Sequence, residues 1–370
     1  MNLILEHADF LKALSHAQGV VEKRTTVPIL SHVLLETGQD HLMITATDLE
    51  LAVIEKIPAE IHAGGRVTVP AATLYDIVRK LPEGAQILLR FDGEKGRLFL
   101  EAGRSKFELS CLPADEFPRV SVAELPHKIT LPAKQLHRLL ERTRFAMSTD
   151  EAHYTLNGIY LSFDTEAGAL TAAATDTHRL AHSSTPVGAE GNDTPGIILS
   201  RKTVAELQKL LSDASADIEI SLSDTQIACR FDDVQLISRL VDGAFPDYKA
   251  AIPQENQHKL AIDATPFLRA LDRVAILCEE KNRGVRLSLQ QDKLTLFASG
   301  RDTGAADEEM EVEYTGAPLE VGFNVSYLMD VARQTGDGEM LFEFSDSLSA
   351  TLIRDSKDDR TLYVLMPLRV

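Results

Sequence analysis

The sequence predicts an α+β fold made three times over, with helices gathered on one face of antiparallel sheets. Three observations carry that expectation. First, residues 157–181, NGIYLSFDTEAGALTAAATDTHRLA, alternate apolar and polar positions, turn at Glu166-Ala167-Gly168 and resume in extended form, which is the signature of a β-hairpin. The pattern recurs over residues 32–48 and 284–299, with Leu42, Leu170 and Leu294 at equivalent points and Ala46, Ala174 and Ala298 four residues later. Second, each copy opens with a strand entering an amphipathic helix. Phe10, Leu136 and Phe267 coincide there, and the four-residue step to Leu14, Leu140 and Leu271 puts each pair on one helical face. Third, a further helix follows each hairpin, over residues 70–78, 200–208 and 324–332.

In chain order, the first copy reads as a strand at 3–6, a helix at 8–14, the hairpin, the second helix, and strands at 86–91 and 106–112. The second copy repeats this from a strand at 128–131 and a helix at 133–140, closing with strands at 218–223, 227–231 and 234–240. The third opens with a strand at 259–262, and its first helix has Thr265 as N-cap and Pro266 at the first helical position. It closes with strands at 340–344, 348–353 and 361–366. Ser200 and Asn324 suit the N-caps of the second helices in their copies. The period of about 125–130 residues exceeds the solenoid range, so each copy is expected to be a domain with its own core. The boundaries are placed at 1–125, 126–254 and 255–370, in polar or Pro-containing linkers at 119–127 and 250–258.

Hydrophobic residues make up 44% of the 370, enough for several cores and far from a disordered composition. Cys111, Cys229 and Cys278 are widely spaced and show neither a metal nor a disulfide framework, so reduced cytoplasmic thiols are expected. Glu6 and Asp9 stand where a signal peptide needs a cationic start, and no apolar run reaches membrane-spanning length. No GxxxxGK[ST] loop is present, so no nucleotide, metal or other cofactor is expected.

The net charge of −18 argues against a general nucleic-acid binder. It leaves room for one whose basic residues gather on a single surface. Lys134, Arg138 and Arg142 share one helical face at i, i+4 and i+8, and Arg269 and Arg273 repeat the step. Arg201 and Lys202 sit on the second helix of the middle copy, and Arg79 closes that of the first. Acids crowd elsewhere, notably over 302–311. The bland account is that helix surfaces are simply charged. The asymmetry favours the other, a basic helical face suited to phosphates without base reading.

The segments TVPIL with LMITATDLE, LNGIYL with ATDTHRLA, LVDGAFPDY, KNRGVRL, VGFNVSYLMDV and YVLMPLR, in that order, resemble the bacterial DNA polymerase III β subunit, the sliding-clamp family. The resemblance covers the whole chain. It implies three clamp-type domains with helices inside and antiparallel sheets outside, closing as a ring-shaped head-to-tail homodimer around duplex DNA. It also implies a non-catalytic, cytoplasmic processivity subunit that tethers the polymerase III α subunit, the clamp loader, other polymerases and repair proteins through short linear peptides. The DNA contacts it implies are Arg24, Arg79, Lys134, Arg138, Arg142, Tyr154, Arg201, Lys202 and Arg269. Arg24 precedes the TVPIL segment and is the firmest of these. For the peptide pocket it implies Leu156, Thr175, His178, Arg179, Leu180, Pro246, Val364, Met366, Pro367, Leu368 and Arg369. Thr155, Thr177 and Ala250 depart from residues frequent in the family (tyrosine, glycine and arginine). The ring joint would bring Arg104, Lys106, Phe107 and Leu109 against Ile276 and Leu277, with Asp307, Glu308, Glu309 and Glu311.

Two other readings compete. Asp176 and His178 form an Asp-x-His pair, but the first copy has Asp48 and Glu50 there, the third has neither, and no nucleophile or third ligand is nearby. A structural histidine is the better account. The second alternative is a clamp-fold peptide-binding scaffold that does not encircle DNA.

Overall fold

The computed structural model describes residues 1–22, 25–121, 124–164, 166–187, 194–278, 283–300 and 304–369. Its strands form four antiparallel sheets, two in each of two compact units. The first unit comprises Met1–His137, Val187–Pro195 and Lys202–Leu240, and the second comprises Arg138–Pro186, Gly196–Arg201 and Val241–Val370.

In the first unit, one sheet has the order β5 (Glu60–Ala63), β1 (Asn2–Glu6), β7 (Gln86–Asp92), β8 (Arg97–Ala102) and β9 (Ser105–Ser110). The other runs β10 (His127–Pro132), β15 (Asp217–Leu222), β16 (Gln226–Phe231), β17 (Val234–Arg239), β4 (Leu51–Pro58), β3 (His41–Thr47), β2 (His32–Thr37) and β6 (Arg66–Pro70). The second unit repeats the plan. Its long sheet runs β14 (Ile197–Ser200), β11 (Gly158–Asp164), β12 (Ala169–Thr175), β13 (Arg179–Pro186), β25 (Asp358–Leu365), β24 (Thr351–Asp355), β23 (Glu339–Phe344) and β18 (His258–Asp263). Its short sheet runs β21 (Gly304–Glu311), β20 (Lys293–Gly300), β19 (Gly284–Gln290) and β22 (Leu319–Asn324).

Each long sheet therefore joins strands of different repeats. The seams are β4 with β17, Leu236 opposite Val53, and β13 with β25, Leu180 opposite Val364. The middle repeat gives one half of its strands to each unit, because backbone pairing continues across the seam instead of ending at the repeat.

The helices are α1 (His7–Val20), α2 (Ala71–Val78), α3 (Ala133–Thr143), α4 (Arg201–Leu211), α5 (Ala264–Val274) and α6 (Val325–Thr335). In the first unit α1 packs against α2, β3 and β4, and in the second α5 packs against α6 and β20. The positions matched from sequence are the ones buried. Phe10, Leu136 and Phe267 are at most 1% exposed, as are Leu14, Leu140 and Leu271. Phe267 meets Phe342 edge-on at 5.8 Å, and Phe342 stacks on Phe344 at 5.7 Å, so one aromatic column fills the core beneath α5.

Local signals account for several boundaries. Asn324 caps α6 by accepting the Ser326 amide at 2.9 Å, as its side chain suggests. The hairpin between β11 and β12 turns where Asp164 accepts the amides of Glu166 and Ala167, and Gly168 follows at φ +60°. The glycine of LNGIYL is required by space: a Cβ on Gly158 would lie 2.1 Å from the Leu199 carbonyl oxygen. Two expectations are corrected. Helix α5 starts at Ala264, so Thr265 lies inside it, and its hydroxyl bonds Asp337 at 2.9 Å instead of capping. In the first repeat the sequence reading named two strands after the second helix; β8 lies between them and pairs with both β7 and β9.

Candidate peptide pocket and helical face

The second unit carries all the residues expected at the peptide pocket, arranged around the corner between β12 and β13. Thr175 donates its hydroxyl to the Arg179 carbonyl at 2.7 Å and accepts the Thr177 amide at 3.1 Å. Asp176 accepts the amides of His178 and Arg179 through one carboxylate oxygen, at 3.1 and 3.0 Å. Its other oxygen takes Nε of Arg179 at 3.0 Å. Both oxygens are thus used in holding the corner, which leaves no Asp176–His178 dyad. The first unit builds the same corner from Thr47 and Asp48. Both corners put a non-glycine residue in the left-handed region, Leu49 at φ +82° and Thr177 at φ +74°. That conformation costs roughly 1–2 kcal/mol for a residue with a Cβ, offset here by the side-chain hydrogen bonds.

The chain end joins this corner. Strand β25 pairs with β13, the Met366 amide donates to the His178 carbonyl at 2.9 Å, and the Leu368 amide donates to the Gly322 carbonyl at 2.8 Å. Residues 366–368 are therefore anchored, where a bland reading would have them frayed. On the paired strands Leu180 and Val364 join Ala173, Tyr248 and Leu352 in one buried cluster, with Tyr160, Phe245 and Ile252 packed on it. Tyr160 and Phe245 stack at 5.0 Å and 6°. His178, Pro246, Met366 and Arg369 are exposed, while Thr175, Pro367 and Leu368 are half-buried.

Three expected wall residues prove to be core. Leu156, Leu180 and Val364 are 6%, 4% and 3% exposed, so they belong to the core and line no open surface. Arg179 is corrected further. Its guanidinium bonds Asp176 and, at 2.6 Å, Asp330, and it lies 4.3 Å from the Tyr327 ring centre and 5.3 Å from that of Phe145. A cation so enclosed holds the corner to α6 and has little freedom to orient a ligand. Sequence reasoning missed Tyr160, Phe245, Tyr248 and Leu352. Three of them were within reach, because Tyr160 is in LNGIYL and Phe245 and Tyr248 belong to the same LVDGAFPDY segment as Pro246.

His182 borders this cluster, its ring 5.7 Å from that of Tyr248. Burial, reinforced by Lys249 and partly opposed by Asp164, lowers its pKa to about 4 from the ordinary 6.5. The folded chain thus binds this proton less readily than the unfolded one, so the stability tied to neutral His182 is complete above pH 6.5. It declines as pH falls toward about 4. Denaturant melts at pH 7 and pH 4.5 should show that His182→Gln reduces the acid loss of stability by about 2 kcal/mol. An unchanged acid loss would show that His182 is not the group responsible.

The expected phosphate contacts divide by their partners. Lys134 and Arg269 are exposed on α3 and α5, and Tyr154 is 58% exposed. Arg79 bonds Asp76 at 3.0 Å and lies over Tyr75. Arg138 bonds Asp358 at 2.8 Å. Arg142 does not share the exposed face as its spacing predicts. Its side chain is only 16% exposed and pairs with Asp355 at 3.9 Å. Arg201 donates to the carbonyls of Met147 and Ser148, and Lys202 to the Val20 carbonyl and to Asp48. Arg24 lies outside the described residues.

Both strands expected at the ring joint are sheet edges: β9 ends the short sheet of the first unit and β21 that of the second. Arg104 and Lys106 are exposed, Phe107 is half-buried, and Leu109 is 8% exposed and so belongs largely to the core. Lys106 pairs with Glu101 at 3.1 Å. Ile276 is 76% exposed, beside a half-buried Leu277. Glu308 is held below the usual carboxyl range by its hydrogen bonds from Arg273, and Glu309 pairs with Lys293. That leaves Asp307 and Glu311 as exposed acids of this set with no ion pair among the described residues.

The three repeats match three sequence models in order: the N-terminal, central and C-terminal domains of the DNA polymerase III beta subunit, over residues 1–121, 130–247 and 249–369. The chain belongs to the DNA polymerase III beta subunit family. Among its relatives, the beta sliding clamp of Caulobacter vibrioides is 44% identical over 372 residues, and that of Escherichia coli K12 is 36% identical over 371, each covering all of both chains. A crystal structure of the sliding clamp of Bartonella birtlesii bound to griselimycin superposes with a TM-score of 0.96 at 41% identity, again over all of both chains. Members of this family are processivity subunits, not catalysts. The cysteines of this chain are free thiols, and burial pushes Cys111 to about 11 and Cys229 to about 12. Among its described residues, no helix is long and apolar enough to cross a membrane, and no group of three or more potential ligands could hold a metal ion.

Proposed function

We propose that this protein is a cytoplasmic DNA sliding clamp. Two copies close head-to-tail, encircle duplex DNA and tether the replicative polymerase, the clamp loader and other DNA-processing proteins. The observation that carries this reading is the family relationship over the full length, all three repeats in order. The domains are assigned to 1–125, 126–254 and 255–370. Edge strands β9 and β21 form the joint, since an edge with apolar residues wants pairing. A heterologous contact between them closes if the rotation returns to its start. The corner of β12 and β13 with the pinned chain end takes the partner peptide on its apolar floor.

Tethering by topology needs only weak, sequence-blind phosphate contacts, which reconciles duplex binding with the net charge of −18. Lys134 and Arg269, exposed on their helices, supply such contacts. Reversing both, Lys134→Glu with Arg269→Glu, should weaken binding to duplex DNA about tenfold or more at low salt. Polymerase products on a primed circular template should shorten accordingly. Unchanged DNA binding and unchanged product length would overturn the assignment of these helices to the DNA face.

A further inference from the structure

Of the seven described cations first expected to meet phosphate, four already have a carboxylate of their own. Arg79 has Asp76, Lys202 has Asp48, Arg138 has Asp358 and Arg142 has Asp355. The pair on Asp358 is the most lopsided: the carboxylate is 9% exposed while the Arg138 side chain is 58% exposed. Asp358 is the first residue of β25 and Asp355 the last of β24, so one tight turn delivers both acids to two arginines one helical turn apart on α3. One oxygen of Asp358 accepts the Arg360 amide at 3.2 Å, and the other accepts Nη2 of Arg138 at 2.8 Å. Burial works against this charge. The Thr361 hydroxyl, Arg138, the Arg360 amide and Arg142 outweigh it and hold the carboxyl below its ordinary range.

We propose that Asp358 is a built-in stand-in for a DNA phosphate, occupying the exposed guanidinium of Arg138 so that it does not grip a duplex passing the helical face. The proposal rests on the sliding-clamp reading and deepens it. To reach a phosphate, Arg138 would exchange one charged partner for another and leave a nearly buried carboxylate with one cation fewer. A carboxylate stranded in that way costs more than an exposed phosphate contact returns. Arg142, enclosed beside Asp355, cannot take its place. Helix α3 therefore presents Lys134 as a gripping cation and Arg138 as a neutralised one. The consequence is low friction: the face stays polar and wet, yet adds few counterion-releasing contacts to be broken at each step along the DNA.

The test is the affinity of the full-length protein for a short duplex, read by fluorescence anisotropy across a salt series. Asp358→Asn keeps an acceptor for the Arg360 amide and removes the charge that holds Arg138. It should tighten binding about threefold to tenfold at low salt and steepen the dependence of log K on log salt by about 0.9 per chain. Adding Arg138→Gln to Asp358→Asn should return both to the wild-type values. If Asp358→Asn changes neither while Lys134→Glu weakens binding, the proposal is overturned and the clamp reading stands. If wild type and Lys134→Glu are indistinguishable, both fall. Should Asp358→Asn fail to fold, Arg138→Gln alone decides: a held guanidinium predicts less than about a twofold change. A loss as large as that from Lys134→Gln would overturn the proposal.

Discussion

Ile276→Arg is expected to turn a dimer into monomers. Ile276 sits in the short turn Ala275–Leu277 that follows α5, and that turn packs beside β20 and the edge strand β21. Among the described residues it is the most exposed of the large apolar side chains, at 76%. Burying an isoleucine against the apolar side chains of a partner's β9 edge contributes about 1.5–3 kcal/mol, and an arginine forced into that place adds the desolvation of an unpaired charge. A closed ring holds two such joints, so the loss is felt twice. Sedimentation at low micromolar concentration should give wild type twice the 40.7 kDa chain mass and the variant a single chain. The fold should be retained, since most of the side chain is exposed within its own chain. A variant that remains a dimer would place the joint elsewhere on the two edge strands. Wild type found as single chains would remove the ring and favour a peptide-binding scaffold instead.

Met366→Glu is expected to abolish peptide docking while leaving the ring intact. Met366 is 46% exposed, and its backbone amide remains bonded to the His178 carbonyl whatever its side chain. Two residues before it on the same strand end, Val364 joins Leu180, Tyr248 and Leu352 in a desolvated apolar cluster of the kind on which a few contacts carry most of the binding energy. A carboxylate beside that cluster removes an adaptable apolar contact and charges the site. A loss of about 2 kcal/mol or more is expected, roughly thirtyfold in Kd. Fluorescence polarisation with a labelled peptide from the clamp-binding region of the cognate polymerase would measure it, alongside a thermal melt that should move little. Undiminished affinity would mean that the peptide docks away from the chain end.

The two substitutions differ in what made them visible. Ile276 could be named from the sequence only through resemblance, since an isoleucine following a helix reads as core. The pocket was half legible. The motifs offered Pro246, Thr175 and the terminal residues, which the structure gathers around one corner, but they also offered Leu180, Val364 and Arg179. The structure buries the first two and encloses the third between Tyr327 and Phe145. Burial at a seam between strands from different repeats leaves no trace in either strand's own pattern.

By itself the sequence determined the threefold repeat, the two helices and the hairpin of each copy, and the buried positions Phe10, Leu136 and Phe267 with their partners one turn on. These follow from periods of two and of 3.6 residues, which a local stretch carries whole. Only the tertiary structure decided which half-sheets join, β4 to β17 and β13 to β25, because backbone pairing is blind to side-chain type and any two edges could have met. It also decided which cations are free. Arg138 and Asp358 are 220 residues apart, and nothing near either one announces the other. Charge is written in the sequence, but its neutralisation depends on what the fold brings within ion-pair distance, and those contacts turn an apparent row of phosphate-binding cations into one lysine with no ion pair among the described residues and two held arginines.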